Sequence, residues 1–425
     1  VRGADVPRTA LRFTTTIAVA APYVLLFLPM AIWNDNPETD FVVRTAGIAL
    51  LGTFTVEASL AMLAFAERRS GRPSIVRFGV AERWNAERVA TIARAVAVAA
   101  AVANLALVLL GGLTLSAQVN GVLPTGALTL LSPFLSWSYL ALALLIAADR
   151  LGGLRPASTI RWILMLIGSQ VAMAFVRGIT VGAAAFIIVA LTLALMTALV
   201  PTRWIVATAT LGIALWPTVY ALRNDRRTSE GIAVSKDLSA VDRLRFDEQI
   251  ARAAPYGPGH ELGQPDLWSS LRFGLVPRFL DPGRPAVTSG NAINEFLGGT
   301  STSSYTFLPV ATSWFFWGSL GTVLLYALFA SVMVSLRPWR AIGRRPVALV
   351  LATALLSGPL GWFSTPPDAS IGMLQSVVSA SPVLLVLWVW ARKPAPVRAD
   401  EPRRSSALTE RRAAVRRHLS AEAPR

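Results

Sequence analysis

The sequence predicts an all-α fold: a polytopic membrane bundle of about ten transmembrane helices with one large external loop containing short helices. Three observations lead there. Of 425 residues, 54% are hydrophobic and only 15% are charged, with a mean hydropathy of +0.53, whereas soluble domains carry roughly 25% charged residues. Apolar runs of about 20 residues, the length that crosses a hydrocarbon core, recur along the chain. A single long polar stretch, 223–312, interrupts them.

The runs fall near 13–33, 43–65, 95–115, 126–148, 159–176, 179–200, 203–222, 313–336, 346–364 and 374–391. The first begins like a signal peptide, with Arg8 and Arg12 ahead of Ala18-Val19-Ala20. It continues apolar to Trp33, too long for a cleaved segment, and is expected to be a retained helix. The chain then divides into helices one to seven (1–222), an external loop (223–312), helices eight to ten (313–391) and a basic tail (392–425).

Charge placement orients the bundle, because cytoplasmic segments are enriched in Lys and Arg. With both termini cytoplasmic, 28 of the 40 basic residues fall on the inner side. The outer side keeps Arg44, Arg177 and ten bases of the long loop, matched there by ten acids. The net charge of +16 is thus an orientation signal, and nucleic acid is not expected as a partner. The tail reads as a disordered, solvated cytoplasmic segment near anionic lipid. Two lysines against 38 arginines point to a GC-rich bacterial genome.

Cysteine is absent, which excludes disulfides, thiolate nucleophiles, iron–sulfur clusters and Cys-ligated zinc. The histidines are two, His260 and His418; no metal and no cofactor are expected. One ionisable residue, Glu57, falls inside a span, where such a group is a functional candidate or half of a pair; its partner is not legible.

Loops this long usually carry function. The stretch 236–254 spaces Leu238, Val241, Leu244 and Ile250 as an amphipathic helix on the membrane or on the bundle, and Pro255-Tyr256-Gly257-Pro258-Gly259 must turn. Further on, Pro277, Pro282 and Pro285 hold the backbone to a defined non-helical path, which aims Arg278, Asp281 and Arg284. Guanidinium forks suit phosphate oxygens; the same arginines equally suit lipid headgroups or a pair with Asp281. Trp268, Tyr305, Trp314 and Trp317 offer flat faces for sugars, although Trp and Tyr also mark membrane interfaces. There is no Gly-rich nucleotide fingerprint or phosphate loop in the polar segments.

The string Val276-Pro277-Arg278-Phe279-Leu280-Asp281-Pro282-Gly283-Arg284-Pro285 resembles the PR-x-hydrophobic-x-P-x-K-P element of Wzy-type O-antigen and oligosaccharide repeat-unit polymerases, which also lies in a large external loop. The family's later acidic E-x-Y-x-N-F-G-x-x-G element is echoed by Thr312-Ser313-Trp314-Phe315-Phe316-Trp317-Gly318-Ser319-Leu320-Gly321. Here the glycine pair and an aromatic are kept, but Thr312 replaces the glutamate, so that glutamate's role does not transfer. Phe175-Val176-Arg177-Gly178 is similar to an S-R-G element of polymerases and related ligases.

The resemblance implies a GT-C-like glycosyltransferase on the outer face of the bacterial inner membrane, joining polyprenyl diphosphate-linked oligosaccharides. The implied partners are lipid-linked donor and acceptor, membrane lipids, a flippase and chain-length regulator proteins. Charge grows on the departing diphosphate, so preorganised Arg donors favour the transition state. Arg278 and Arg284 are the main candidates, with Arg177, Arg223 and Arg272 assisting. Asp281 or Glu295 would act as base, and His260, Trp268 and Tyr305 would contact substrate. Rival readings are a ligase moving finished glycan to an envelope acceptor, a lipid-linked saccharide flippase, and a non-enzymatic envelope subunit.

Overall fold

A computed structural model describes residues 13–69, 83–110, 130–177, 180–229, 244–262, 264–277, 280–281, 283, 289–299, 304–336 and 344–393. These residues are mostly helical, with turns between the helices, one isolated bridge and no strand. In chain order the helices are α1 (Thr14–Trp33), α2 (Thr39–Arg69), α3 (Ala86–Leu109), α4 (Trp137–Leu151), α5 (Pro156–Arg177), α6 (Val181–Met196), α7 (Thr202–Ser229), α8 (Phe246–Ala251), α9 (Leu267–Leu275), α10 (Ser289–Phe296), α11 (Pro309–Ser335), α12 (Pro346–Ser357) and α13 (Pro366–Ala391). Eight of them, α1 to α5, α7, α11 and α13, are long and apolar enough to cross a membrane, α4 by including the turn that leads into it from Pro133. The chain is a polytopic helical membrane protein.

The ten apolar runs are helical over their described residues, but several limits differ from the expected spans. α6 has 16 residues and α12 only 12. At 1.5 Å per residue α12 is about 18 Å long, short of the roughly 30 Å core. It stops at Ser357 because the chain turns through Gly358 and Gly361 instead of running on to 364. Conversely, α3 begins at Ala86, not 95. The Asn85 side chain accepts from the Glu87 and Arg88 N–H groups, and this cap extends the helix through charged residues that an apolar window leaves out.

Two tight helix pairs organise the bundle. α2 lies on α11 at Gly52, where a Cβ would sit 2.4 Å from the Val323 carbonyl oxygen; small residues allow such approach in membranes. α4 is buried on all sides from Leu140 to Ala148, surrounded by α3, α5, α6, α12 and α13, which explains its uniformly apolar sequence. α7 stands at the edge, touching α5 and α6, with only Tyr220 buried.

The two ends of the bundle are distinct. At one, Trp84 and Arg392 form the bridge, the Asn85 N–H donates to the Ala391 carbonyl at 2.7 Å and the Lys393 N–H to that of Arg83 at 2.8 Å. The Arg88 guanidinium donates to the Trp390 carbonyl at 2.6 Å and lies 5.5 Å over its ring. At the other end the turn 34–38 and the segment 358–365 meet the polar insertion, whose described residues form a cover. Of the amphipathic helix expected over 236–254, Leu238 and Val241 lie outside the described residues; the part seen is α8, which packs on the bundle. The Phe246 ring meets Phe27 of α1 edge-on at 5.9 Å and Phe363 at a tilt at 5.1 Å.

Candidate functional site

Four attachments hold the cover to the bundle. The first is Asp247 of α8, fully buried, which accepts from the Asn36 side-chain amide at 2.8 Å and pairs with Arg245 at 3.3 Å. Arg245 also reaches Glu248 at 2.7 Å. Asp247 Oδ1 and Arg245 Nε are buried without hydrogen-bond partners among the described residues. The second is Asp368, in the first turn of α13. It accepts from Ser289 Oγ at 2.6 Å and from the Ser289 N–H at 3.1 Å, so a carboxylate from a distant helix caps α10.

The third attachment follows from a broken helix. Gly318 adopts φ 67°, ψ −173° inside α11, a region essentially reserved for glycine. The break frees the Phe315 carbonyl from its helical partner, and it accepts instead from the Gly259 N–H at 2.8 Å and the His260 N–H at 3.0 Å. The expected turn at 255–259 is present, with Gly257 and Gly259 at positive φ, and is what docks there. The fourth is α9 on α13: the Gln375 amide donates to the Phe273 carbonyl at 2.8 Å, and Gly274 leaves room for Leu374, which a Cβ would meet at 2.6 Å.

Among these supports the sequence candidates take the following places. Arg278 and Arg284 lie outside the described residues. Asp281 is held in a two-pronged pair by Arg272, Nε to Oδ2 at 3.0 Å and a terminal nitrogen to Oδ1 at 2.8 Å; this ties the proline-rich stretch to α9. Glu295 is exposed on α10, with no side-chain hydrogen bond or ion pair among the described residues. His260 stacks on Phe315 at 4.3 Å and 15°, and its Nε2 lies 2.9 Å from the Tyr256 carbonyl, so the ring helps to build the third attachment. Tyr305 receives the Arg252 guanidinium over its ring at 5.2 Å. Burial pushes the Tyr305 phenol up, and Arg252 opposes the shift.

Arg177 ends α5 with its Nε buried and unpartnered among the described residues, and Arg223 folds back over Tyr220 of its own helix at 5.8 Å. Trp268 is exposed on α9, and Trp314 is buried against Phe41 at 4.7 Å. Glu57 finds its partner across the bundle: its two oxygens accept the Thr15 and Thr16 N–H groups at 3.0 and 3.1 Å, capping α1 from the side of α2.

Sequence reasoning passed over Asn36, Asp247, Arg252 and Asp368. Asp368 follows Pro366-Pro367, a helix-start signature with an acid in the first turn, and was legible as a cap; nothing local marks Asp247 or its partner. What converges at this end is a mixed set of Arg245, Glu248, Arg252, Tyr256 and Tyr305. No three His, Asp or Glu side chains gather as for a metal among the described residues. Beneath the cover a cavity of about 20 Å³ lies between α1, the start of α11 and the 359–362 turn, lined by Tyr23, Phe27, Val310 and Leu360. No family model matches the chain, and no curated protein or solved structure matches it either.

Proposed function

We propose that the chain is a membrane glycosyltransferase that polymerises polyprenyl diphosphate-linked oligosaccharide repeat units on the outer face of the bacterial cytoplasmic membrane. The observation that carries the reading is the Arg272–Asp281 pair, which pins the start of the proline-rich, arginine-bearing element beside a membrane helix. This element is the one that resembles Wzy-type polymerases. The bundle end that carries the cover lies opposite the one joining residues 83–88 to 390–393, a separation that agrees with an external loop and cytoplasmic termini.

In the reaction a hydroxyl oxygen of the acceptor glycan bonds to the anomeric carbon of the donor. The bond from that carbon to diphosphate breaks, and the hydroxyl proton passes to a base. Arg278 and Arg284 would take the charge that accumulates on the leaving diphosphate. Glu295, which has no side-chain partner among the described residues, is the freer candidate base, because both oxygens of Asp281 are engaged by Arg272. Complementation of a deletion strain tests this. Wild type restores long glycan, whereas Arg278→Ala and Arg284→Ala, at normal membrane levels, accumulate single repeat units on lipid. Accumulation of polymer on the carrier would make the protein a ligase, and full complementation by both variants would remove the diphosphate site.

A further inference from the structure

We propose that α9 is an in-plane amphipathic helix seated in the bilayer leaflet on the covered side. Its polarity is inverted for a loop helix facing water. Leu267 is 79% exposed, Trp268 77%, Leu275 52% and Leu271 37%; at about 100° per residue these four fall in an arc of roughly 100°. Arg272 stands exposed at the edge of that arc. Phe273 lies on the opposite face and Gly274 at the other edge of the arc, and both are buried. Leu280, beyond Pro277, is also 67% exposed.

The depth of α9 identifies what covers this stripe. Phe273 and Gly274 contact Gln375 and Leu374, in the interior of α13. At the far end of α13 the exposed Trp388 and Trp390, with Arg392 5.5 Å over the Trp388 ring, mark the opposite interface, where Trp and basic residues concentrate. From Trp388 to Leu374 is 14 residues, about 21 Å of helix, less than the roughly 30 Å hydrocarbon thickness. Any tilt of α13 reduces that height further. The stripe therefore lies at or below the headgroup level, continuous with the lipid-facing surface of the spans, with Arg272 and the exposed Asp266 directed to the polar side. Trp268 then packs among lipid, not on sugar, and α9 sets the height of the proline-rich element that follows it. The inference rests on the membrane fold and not on the polymerase reading.

The chain has no cysteine, so single thiols can be introduced without further change. Nitroxide labels at Leu267→Cys, Leu271→Cys and Leu275→Cys, in the full chain reconstituted into phosphatidylethanolamine–phosphatidylglycerol vesicles, are compared with Leu324→Cys in a span and Glu261→Cys in the cover. The ratio of collision with oxygen to collision with a water-soluble nickel chelate is expected to be several-fold above that at Glu261 and close to that at Leu324. A ratio equal to that at Glu261 would place the stripe in water. Protection from both colliders would show a protein partner or a second copy, and either result overturns the proposal.

Discussion

Replacing Glu57 by alanine removes the acceptors of two backbone N–H groups in the first turn of α1, at Thr15 and Thr16. Glu57 is fully buried, so water does not replace it. An unsatisfied buried donor costs about 1–3 kcal/mol, and two of them about 2–6 kcal/mol, before any charge–dipole loss at the helix terminus. Glu57→Gln keeps one carbonyl oxygen and turns an amide NH2 toward the other N–H, so about half of that loss, roughly 1–3 kcal/mol, is expected. Thermal unfolding in detergent, followed by monodispersity, should therefore rank wild type above Glu57→Gln above Glu57→Ala. Under the proposed function, long-glycan output per folded molecule should stay near wild type in both. A Glu57→Ala protein as stable as wild type but inactive would refute the capping role and make this carboxylate a substrate contact.

Other perturbations test the cover and the packing. Asp368→Ala removes the acceptor of both the Ser289 hydroxyl and its N–H; α10 should lose about 1–3 kcal/mol of local stability, seen as faster limited proteolysis within the cover while the spans persist. Gly318→Ala places a side chain at φ 67°, costing about 1–3 kcal/mol. If the helix straightens to relieve it, the amides of Gly259 and His260 should exchange hydrogen faster, and unchanged exchange would break the link between kink and turn. Gly52→Ala should destabilise the protein by forcing α2 from α11, whereas Gly47→Ala, with open space around it, should be neutral or stabilising by up to about 1 kcal/mol; equal midpoints would refute the close approach. The Ser269 N–H holds the Asp266 carboxyl below its ordinary 3.8. A lowered carboxylate stabilises at pH above its unfolded value and loses that effect as pH falls through the folded one. The mobility of a label at Leu267→Cys should thus stay constant from neutrality to the ordinary carboxylate range and rise only below it.

The order of apolar helices was legible because hydropathy is a local property: a run such as Ala95–Leu109 or Val181–Met196 is apolar whatever it packs against. The turn at 255–259 was legible for the same reason, since Gly and Pro impose their geometry on the spot. Helix limits were less so. The cap that extends α3 to Ala86 is a single Asn85 side chain, and the stop of α12 at Ser357 is marked by Gly358, Pro359 and Gly361, which a window of average hydropathy runs over.

The arrangement at the covered end needed the tertiary structure, because its bonds join residues remote in sequence. Asn36 meets Asp247, Ser289 meets Asp368, and Phe315 receives the turn at Gly259; no spacing along the chain encodes such pairs. Glu57 shows the difference most plainly. The sequence by itself established that a carboxylate stands inside an apolar span and must be compensated, since an isolated charge in hydrocarbon is too costly to persist. Only the packing of α1 on α2 decided that the compensation includes the buried first turn of a neighbouring helix, because the N–H groups at a helix terminus are identical in every sequence and become specific through position alone.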